Sequence, residues 1–179
     1  WETFPEYLDA VDALPKGINY GCYIGHSALR TYVMGERAFE EEAGADDIAA
    51  MQREVRDSIR AGAIGFTTSR TRNHQTPDSR PVASRIANWD EVRALVGVMG
   101  DMNAGVFEIA SEDTGRNPEK IREYLDRLKA LTVETGVPIT YGTFASERAP
   151  EVWPPFLDIA REAAAEGGRI FVQVHSRSL

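Results

Sequence analysis

Arginine is the first chemistry-bearing residue type to stand out, because it clusters where acids are scarce. Between Thr67 and Asn88 the chain carries Arg70, Arg72, Arg80 and Arg85 against one acid, Asp78, so the stretch is net +3 in a chain that is net −8. Guanidinium groups grip carboxylate or phosphate in a two-pronged fork. The stretch has no clear periodicity, and long irregular loops in compact domains are commonly lids or binding loops. It reads as a loop that holds an anionic small-molecule substrate, with Arg70, Arg72 and His74 as its contacts. Arg70 is the first choice because it stands closest to the preceding strand, whereas Arg80 and Arg85 brace the loop. The competing reading is a surface loop whose arginines pair with neighbouring acidic helices.

Glu108 and His175 are the candidate catalytic groups. Glu108 interrupts an apolar strand, and a carboxylate there needs a partner or a task. His175 closes the last apolar run. His26 stands directly after another strand and reads either as an acid/base group or as a hydrogen-bonded turn residue. Other chemistry is absent from the pattern. There is no His-x-His, no His-Glu-x-x-His and no cysteine pair, so no metal ligand set is assigned. Gly62-Ala63-Ile64-Gly65 precedes a strand, whereas a dinucleotide-binding glycine loop follows one. No Gly-x-Ser-x-Gly elbow occurs. Cys22, Trp89 and Trp153 read as core.

The elements that must position these residues follow one recurring pattern: a helix-period segment, a glycine, then a short apolar run. Residues 3–14 predict a helix stopped by Pro15 and Gly17. Ile18 to Ile24 predicts a strand, with Gly25-His26-Ser27 as a turn. Residues 36–42 are acidic and solvated. Asp46 and Asp47 sit at a helix cap, followed by an apolar stripe of Ile48, Met51, Val55 and Ile59. A strand follows at 63–66. Asn88 with Glu91 forms a capping box before a helix with Trp89, Val92, Leu95, Val96 and Met99 on one face. Strands at 106–109, 138–141 and 170–174 alternate with helices beginning near Asn117-Pro118 and over 151–166.

Five strands joined by four helical connections predict an α/β fold with a parallel sheet and right-handed crossovers. Two architectures fit: a doubly wound sheet, or the middle of a (β/α)8 barrel, which needs ~250 residues in full. In both, function sits at the C-terminal strand ends.

Composition narrows the partners. With 28 acidic and 20 basic residues the 179-residue chain is a poor nucleic-acid binder. No apolar run approaches the ~20 residues that span a bilayer. One cysteine excludes a disulfide framework and points to a cytoplasmic setting. The chain begins at Trp1, so its natural start is expected to lie upstream.

Two motifs resemble a known family. Gly25-His26-Ser27-Ala28-Leu29-Arg30 followed by Val33-Met34-Gly35 is similar to the "GHS-x-LR … VMG" segment of the N-acyl-D-amino-acid deacylases, or D-aminoacylases, of the amidohydrolase superfamily. Ala61 to Ser69 resembles that family's "AGA-x-G-(F/I)-ST" strand. Trp1-x-x-Phe4-x-x-Tyr7-Leu8 resembles the stretch before the first motif. The resemblance implies that residues 1–179 are the central part of one (β/α)8 amidohydrolase barrel domain, of about five parallel strands, whose ends lie outside this chain. It implies hydrolysis of a non-peptide C–N bond, such as deacylation of an N-acyl amino acid, by water activated on zinc in the full-length protein. The family's two central histidines should follow the strands at 106–109 and 138–141. Here those places read Glu108-Ile109-Ala110-Ser111 and Tyr141-Gly142-Thr143-Phe144, so the ligand set in these residues is incomplete. Glu108 and His175 are the candidate replacement ligands. The alternatives are a non-catalytic relative that binds a ligand or partner, and a self-contained doubly wound binding domain.

Overall fold

The helices that periodicity predicts are bounded by the expected capping residues. In the computed structural model, which describes residues 1–174, Thr3 and Glu6 form a reciprocal capping box for α1 (Phe4–Asp12). Helix α3 (Ala45–Ala61) is capped by Gly44, whose N–H donates to Asp47, and it ends on Gly62 in the left-handed region at φ 113°. Asn88 caps α4 (Trp89–Met102), and Asn117-Pro118 opens α5 (Pro118–Thr135), which stops at Gly136. Helix α6 spans Pro154–Ala165.

The strands are β1 (Tyr23–Gly25), β2 (Gly65–Ser69), β3 (Val106–Ala110), β4 (Ile139–Gly142) and β5 (Ile170–Gln173). They pair in parallel and in chain order, β1-β2-β3-β4-β5, with no reversal. That order is a barrel arc, and it removes the doubly wound alternative, which requires a switch point. Gly65 is what lets β2 lie so close to β3. A Cβ there would stand 1.9 Å from the Val106 carbonyl oxygen.

The outer face of the arc is the core. Phe66, Phe107, Ile109, Ile139 and Tyr141 alternate outward and are buried against Met51, Val55, Leu95, Met99, Leu125, Leu128 and Ile159 of the helices. Each such side chain contributes about 1.5–3 kcal/mol by leaving water. The inner face is different. One row across the sheet, read from the pairing register, is Gly25, Thr67, Glu108, Thr140 and Phe171. A barrel interior is ordinarily filled by bulky aliphatic residues, and this row leaves room instead.

Two local expectations change. The first strand shrinks to three residues, because Ile18 and Tyr20 are exposed and make no sheet partner; Cys22 lies just before it and is half-buried. Gly25-His26-Ser27 is not a free turn: a helix, α2 (His26–Met34), begins at His26, and a 3-10 turn over Gly35–Phe39 extends it.

Candidate functional site

The strand ends enclose a cavity of about 910 Å³. Its floor is the C-terminal end of β3, with Glu108 and Ser111. One wall comes from β2 and the segment after it: Thr67, Ser69, Thr71, Asn73 and His74. The facing wall comes from the β4–α6 connection: Phe144, Val152 and Phe156. The first wall is polar and the second apolar.

Glu108 is held from one side only. Gln173 on β5 donates from Nε2 to Glu108 Oε1 at 3.3 Å and to Thr140 Oγ1 at 3.0 Å. Among the described residues, Glu108 Oε2 takes no hydrogen bond. His74 is exposed, and its Nδ1 shares a 2.7 Å hydrogen bond with Ser69 Oγ. These two are the titratable side chains the structure brings to the cavity surface with room to meet a ligand.

The arginines go elsewhere. Arg70 donates to Glu112 at 3.3 Å and to the carbonyls of Ser84 and Ala87, and it does not line the cavity. Arg72 is largely exposed and pairs with Asp113. Arg80 binds Asp78 at 2.7 Å and lies over the Phe39 ring at 4.6 Å. The predicted convergence of guanidinium groups on the strand ends is therefore not present: three of the four pair with local acids, which neutralise the loop's charge in place. His175 lies outside the described residues.

Sequence reasoning missed a second polar constellation, on the outer face of the same sheet. His26, Arg30 and Glu91 have side chains closed off from solvent. His26 Nε2 lies 2.8 Å from Glu91 Oε1, and its Nδ1 lies 2.8 Å from Thr68 Oγ1. Arg30 Nη1 donates to Glu91 Oε2, and Nη2 donates to the carbonyls of Ala38 and Glu41. Burial alone would raise the Glu91 pKa, but hydrogen bonds from His26 and Arg30 outweigh it and hold the carboxyl below its ordinary value. Burial pushes the His26 pKa down against the pull of Glu91. A neutral imidazole beside an ionised carboxylate carries its proton on Nε2, so Nε2–H donates to Glu91 and Nδ1 accepts from Thr68. Ser27 and Ser84 extend the lattice: Ser27 Oγ donates to Ser84 Oγ at 2.9 Å, and Ser84 Oγ donates to the Ser69 carbonyl at 2.8 Å. The polar residues of the Gly25–Arg30 motif thus staple α2 to α4, to β2 and to the 3-10 turn over Ala83–Arg85. Half of the expected capping box exists, since Asn88 Oδ1 accepts from Glu91 N at 2.9 Å. The Glu91 side chain has left the box for His26 and Arg30. The 61- and 65-residue separations of these partners hide them from any local pattern.

The resemblance implies zinc, and the strand ends test it. Where histidines are expected, the chain reads Glu108-Ile109-Ala110-Ser111 and Tyr141-Gly142-Thr143-Phe144, with no imidazole in either stretch. Zinc favours imidazole, thiolate and carboxylate ligands over neutral hydroxyls. Among the described residues, no group of three or more His, Cys, Asp or Glu side chains is placed to hold a metal ion. The described residues therefore do not fit a metal centre.

Comparison with known proteins places this geometry. No family model matches the chain. A D-aminoacylase of Alcaligenes xylosoxydans xylosoxydans is 40% identical over 68 residues, 38% of this chain and 14% of that protein. An uncharacterized protein of Mycobacterium tuberculosis is 33% identical over 106 residues, 55% of this chain and 17% of that protein. Among solved structures, a D-aminoacylase studied for its binuclear metal centre superposes with a TM-score of 0.77 at 26% identity, over 98% of this chain and 34% of that one. The N-acyl-D-glutamate deacylase of Bordetella bronchiseptica, complexed with zinc and a phosphonate mimic of the tetrahedral intermediate, gives 0.73 at 18% identity over the same shares, a likeness of fold. The chain thus spans under a fifth of the curated relatives it matches and about a third of the solved ones. Within that span it is like the D-aminoacylases in sequence and in fold, as its two motifs imply.

Proposed function

We propose that this chain forms the central part of a barrel domain in a longer, cytoplasmic amidohydrolase that deacylates an N-acyl amino acid or a related amide. The carrying observation is the position of the cavity. It opens at the C-terminal ends of consecutive parallel strands, where barrel enzymes work, in a chain whose fold over 98% of its length is that of D-aminoacylase. The reaction adds water across the amide: the acyl carbon gains oxygen, the C–N bond breaks, and the amine leaves with a proton. In the described part, Glu108 is the group to hold or move that proton, since it is the carboxylate on the cavity floor and, among the described residues, one of its oxygens takes no hydrogen bond. His175, next in sequence after Val174, is the second candidate. A substrate carboxylate would meet the rim at His74, with Arg72 able to exchange its exposed pairing with Asp113 for the ligand. Arg70 supports this reading least, because its guanidinium is already engaged.

One observation favours a second reading, a relative that binds without turning over: the stretches 108–111 and 141–144, where the resemblance expects imidazoles, contain no His. The test is release of free amine from N-acyl-D- and N-acyl-L-amino acids by the full-length protein and its Glu108→Gln variant. Turnover that falls by about 10²–10⁴ in the variant supports the enzyme. Ligand binding without turnover in the parent supports the relative.

A further inference from the structure

The serines of the outer lattice do not stop at the outer face. Ser27 Oγ accepts from Ser84 N at 3.1 Å and donates to Ser84 Oγ at 2.9 Å, a reciprocal pair that joins the start of α2 to the 3-10 turn over Ala83–Arg85. A hydroxyl has one proton to give. Ser27 spends its proton on Ser84, and Ser84 spends its own on the Ser69 carbonyl at 2.8 Å. Ser69 is the last residue of β2, and its hydroxyl meets His74 Nδ1 at 2.7 Å. Arg70 doubles the clasp, because its Nη1 donates to the Ser84 carbonyl at 3.3 Å. Between Ser69 and His74 the chain is bent by Asn73 N, which donates to Thr71 Oγ1 at 3.2 Å. A line of hydrogen bonds thus runs Ser27–Ser84–Ser69–His74, from the outer face to the rim, and every residue in it belongs to the described chain.

The line starts in the core and ends in the open. Ser84 is fully buried, Ser27 and Ser69 are half-buried, and His74 is exposed. An imidazole on an exposed loop ordinarily samples several rotamers, and ordering it on binding costs free energy. Here the ring is tied in advance to a serine whose carbonyl is pinned from the core. The sense of the last bond matters too. When Ser69 Oγ donates to Nδ1, the neutral ring carries its proton on Nε2. The opposite sense would leave the Ser69 proton without an acceptor among the described residues. Nε2–H is then the donor that His74 offers to an anion. Resting on the deacylase reading, in which His74 meets the substrate carboxylate at the rim, we propose that Ser27 and Ser84 are positioning residues for that reaction. They act through Ser69 to fix the orientation of His74 and its Nε2–H tautomer. The Gly25–Arg30 motif then serves the rim as well as the fold.

The experiment reads His74 directly. Imidazole 15N spectra of the full-length protein are recorded at alkaline pH, with the His74 signals assigned by their loss in His74→Gln. In the parent, His74 should show a protonated Nε2 and a bare Nδ1. Ser84→Ala should move both nitrogens towards the average of the two tautomers. Ser27→Ala, at a half-buried position that the fold is expected to tolerate, should move them the same way by less. Ser69→Ala should give the full change, and adding Ser84→Ala to it should change nothing further. Thr68→Val removes the bond from β2 to His26 and should lower stability without moving the His74 signals. Far-ultraviolet spectra and melting curves confirm that each variant is folded. With an N-acyl amino acid as substrate, Ser84→Ala should raise KM about three- to tenfold, the worth of one ordinary hydrogen bond, and leave kcat within about twofold. A His74 ring that both serine variants leave unmoved, that Thr68→Val moves equally, or that carries its proton on Nδ1 in the parent overturns the proposal. A ring that moves while KM stays where it was overturns it as well. If the ring responds as expected and no N-acyl amino acid is hydrolysed, the deacylase reading fails while the positioning of His74 stands.

Discussion

Two polar constellations sit back to back on one sheet, and β2 serves both. Thr68 points outward into the His26–Glu91–Arg30 lattice, while its neighbours Thr67 and Ser69 point inward to the cavity. Within the His26–Glu91–Arg30 lattice nearly every donor meets an acceptor; among the described residues Arg30 Nε is its one buried polar atom without a partner. On the inner side, among the described residues, Glu108 has one hydrogen-bond partner and His74 one, and both line the cavity. The charges are of similar kind, so residue type does not decide which side is structural. Saturation and enclosure decide. A closed network fixes the fold, and a half-satisfied carboxylate at a cavity floor is available for a ligand.

The largest expected effect breaks the outer side. Glu91→Ala leaves Arg30 charged and buried with its carboxylate gone, a loss of about 3–5 kcal/mol of stability. Glu108→Ala removes one 3.3 Å hydrogen bond beside solvent, so it should cost under about 1 kcal/mol. Denaturant midpoints of the two variants measure the contrast. Equal losses would mean that the inner face is as structural as the outer.

Acid should find the same weak point. His26 is neutral when folded because burial lowers its pKa, so the unfolded chain binds the proton more readily. Stability is therefore full above the ordinary histidine value of about 6.5 and falls as pH drops below it, by at most about 1.4 kcal/mol per unit for one proton. Glu91, also lowered when folded, acts in the same direction further into acid. Melting temperatures between pH 7.5 and 5 should show this decline, and His26→Gln should reduce its slope. A parent protein whose melting temperature is flat over that range would contradict the buried neutral imidazole.

How much of this was legible in the sequence divides along the same line. Strand order, the helix stripes and the capping residues follow local rules, and α3 to α6 lie where periodicity puts them. Glu108 was legible as an oddity because a charge broke an apolar run. The lattice was not, because Glu91 satisfies the local signature of a helix cap while spending its side chain on residues more than 60 positions away. Likewise α2 was hidden: no stop signal separates it from β1, since Gly25 serves as strand end and helix cap together. The arginine loop misled for a related reason. Its net charge is a property of composition, but Glu112 and Asp113, which answer Arg70 and Arg72, come from the loop after β3.

A smaller effect tests that loop. Arg70 ties the β2 loop to Glu112 and to two carbonyls, and its side chain is mostly enclosed. Arg70→Ala should cost about 1–3 kcal/mol by stranding those acceptors. Any loss of catalytic efficiency should then be equal for an acylated amino acid and for its uncharged amide. A loss confined to the acid would show that Arg70 reads a carboxylate after all.

The smallest effect on stability belongs to Arg72, and it separates the two sides most finely. The Arg72 side chain is 71% exposed and Asp113 is 31% exposed, so water screens their attraction and the pair is worth at most a few tenths of a kcal/mol. Arg72→Ala should leave the unfolding midpoint where it was. An exposed pair is also one that a ligand exchanges cheaply: a substrate carboxylate at the rim takes the place of Asp113 without stranding a buried group. If the rim reads a carboxylate there, the variant loses about ten- to a hundredfold on the N-acyl amino acid, the worth of one charge-assisted hydrogen bond, and little on the amide. Asp113→Asn should act in the opposite sense, freeing the guanidinium and tightening the acid. The two single variants, assayed on both substrates in the full-length protein, decide it. No discrimination in either variant would leave His74 as the described rim residue able to meet an anion, and the arginine loop would then join the outer lattice as structure.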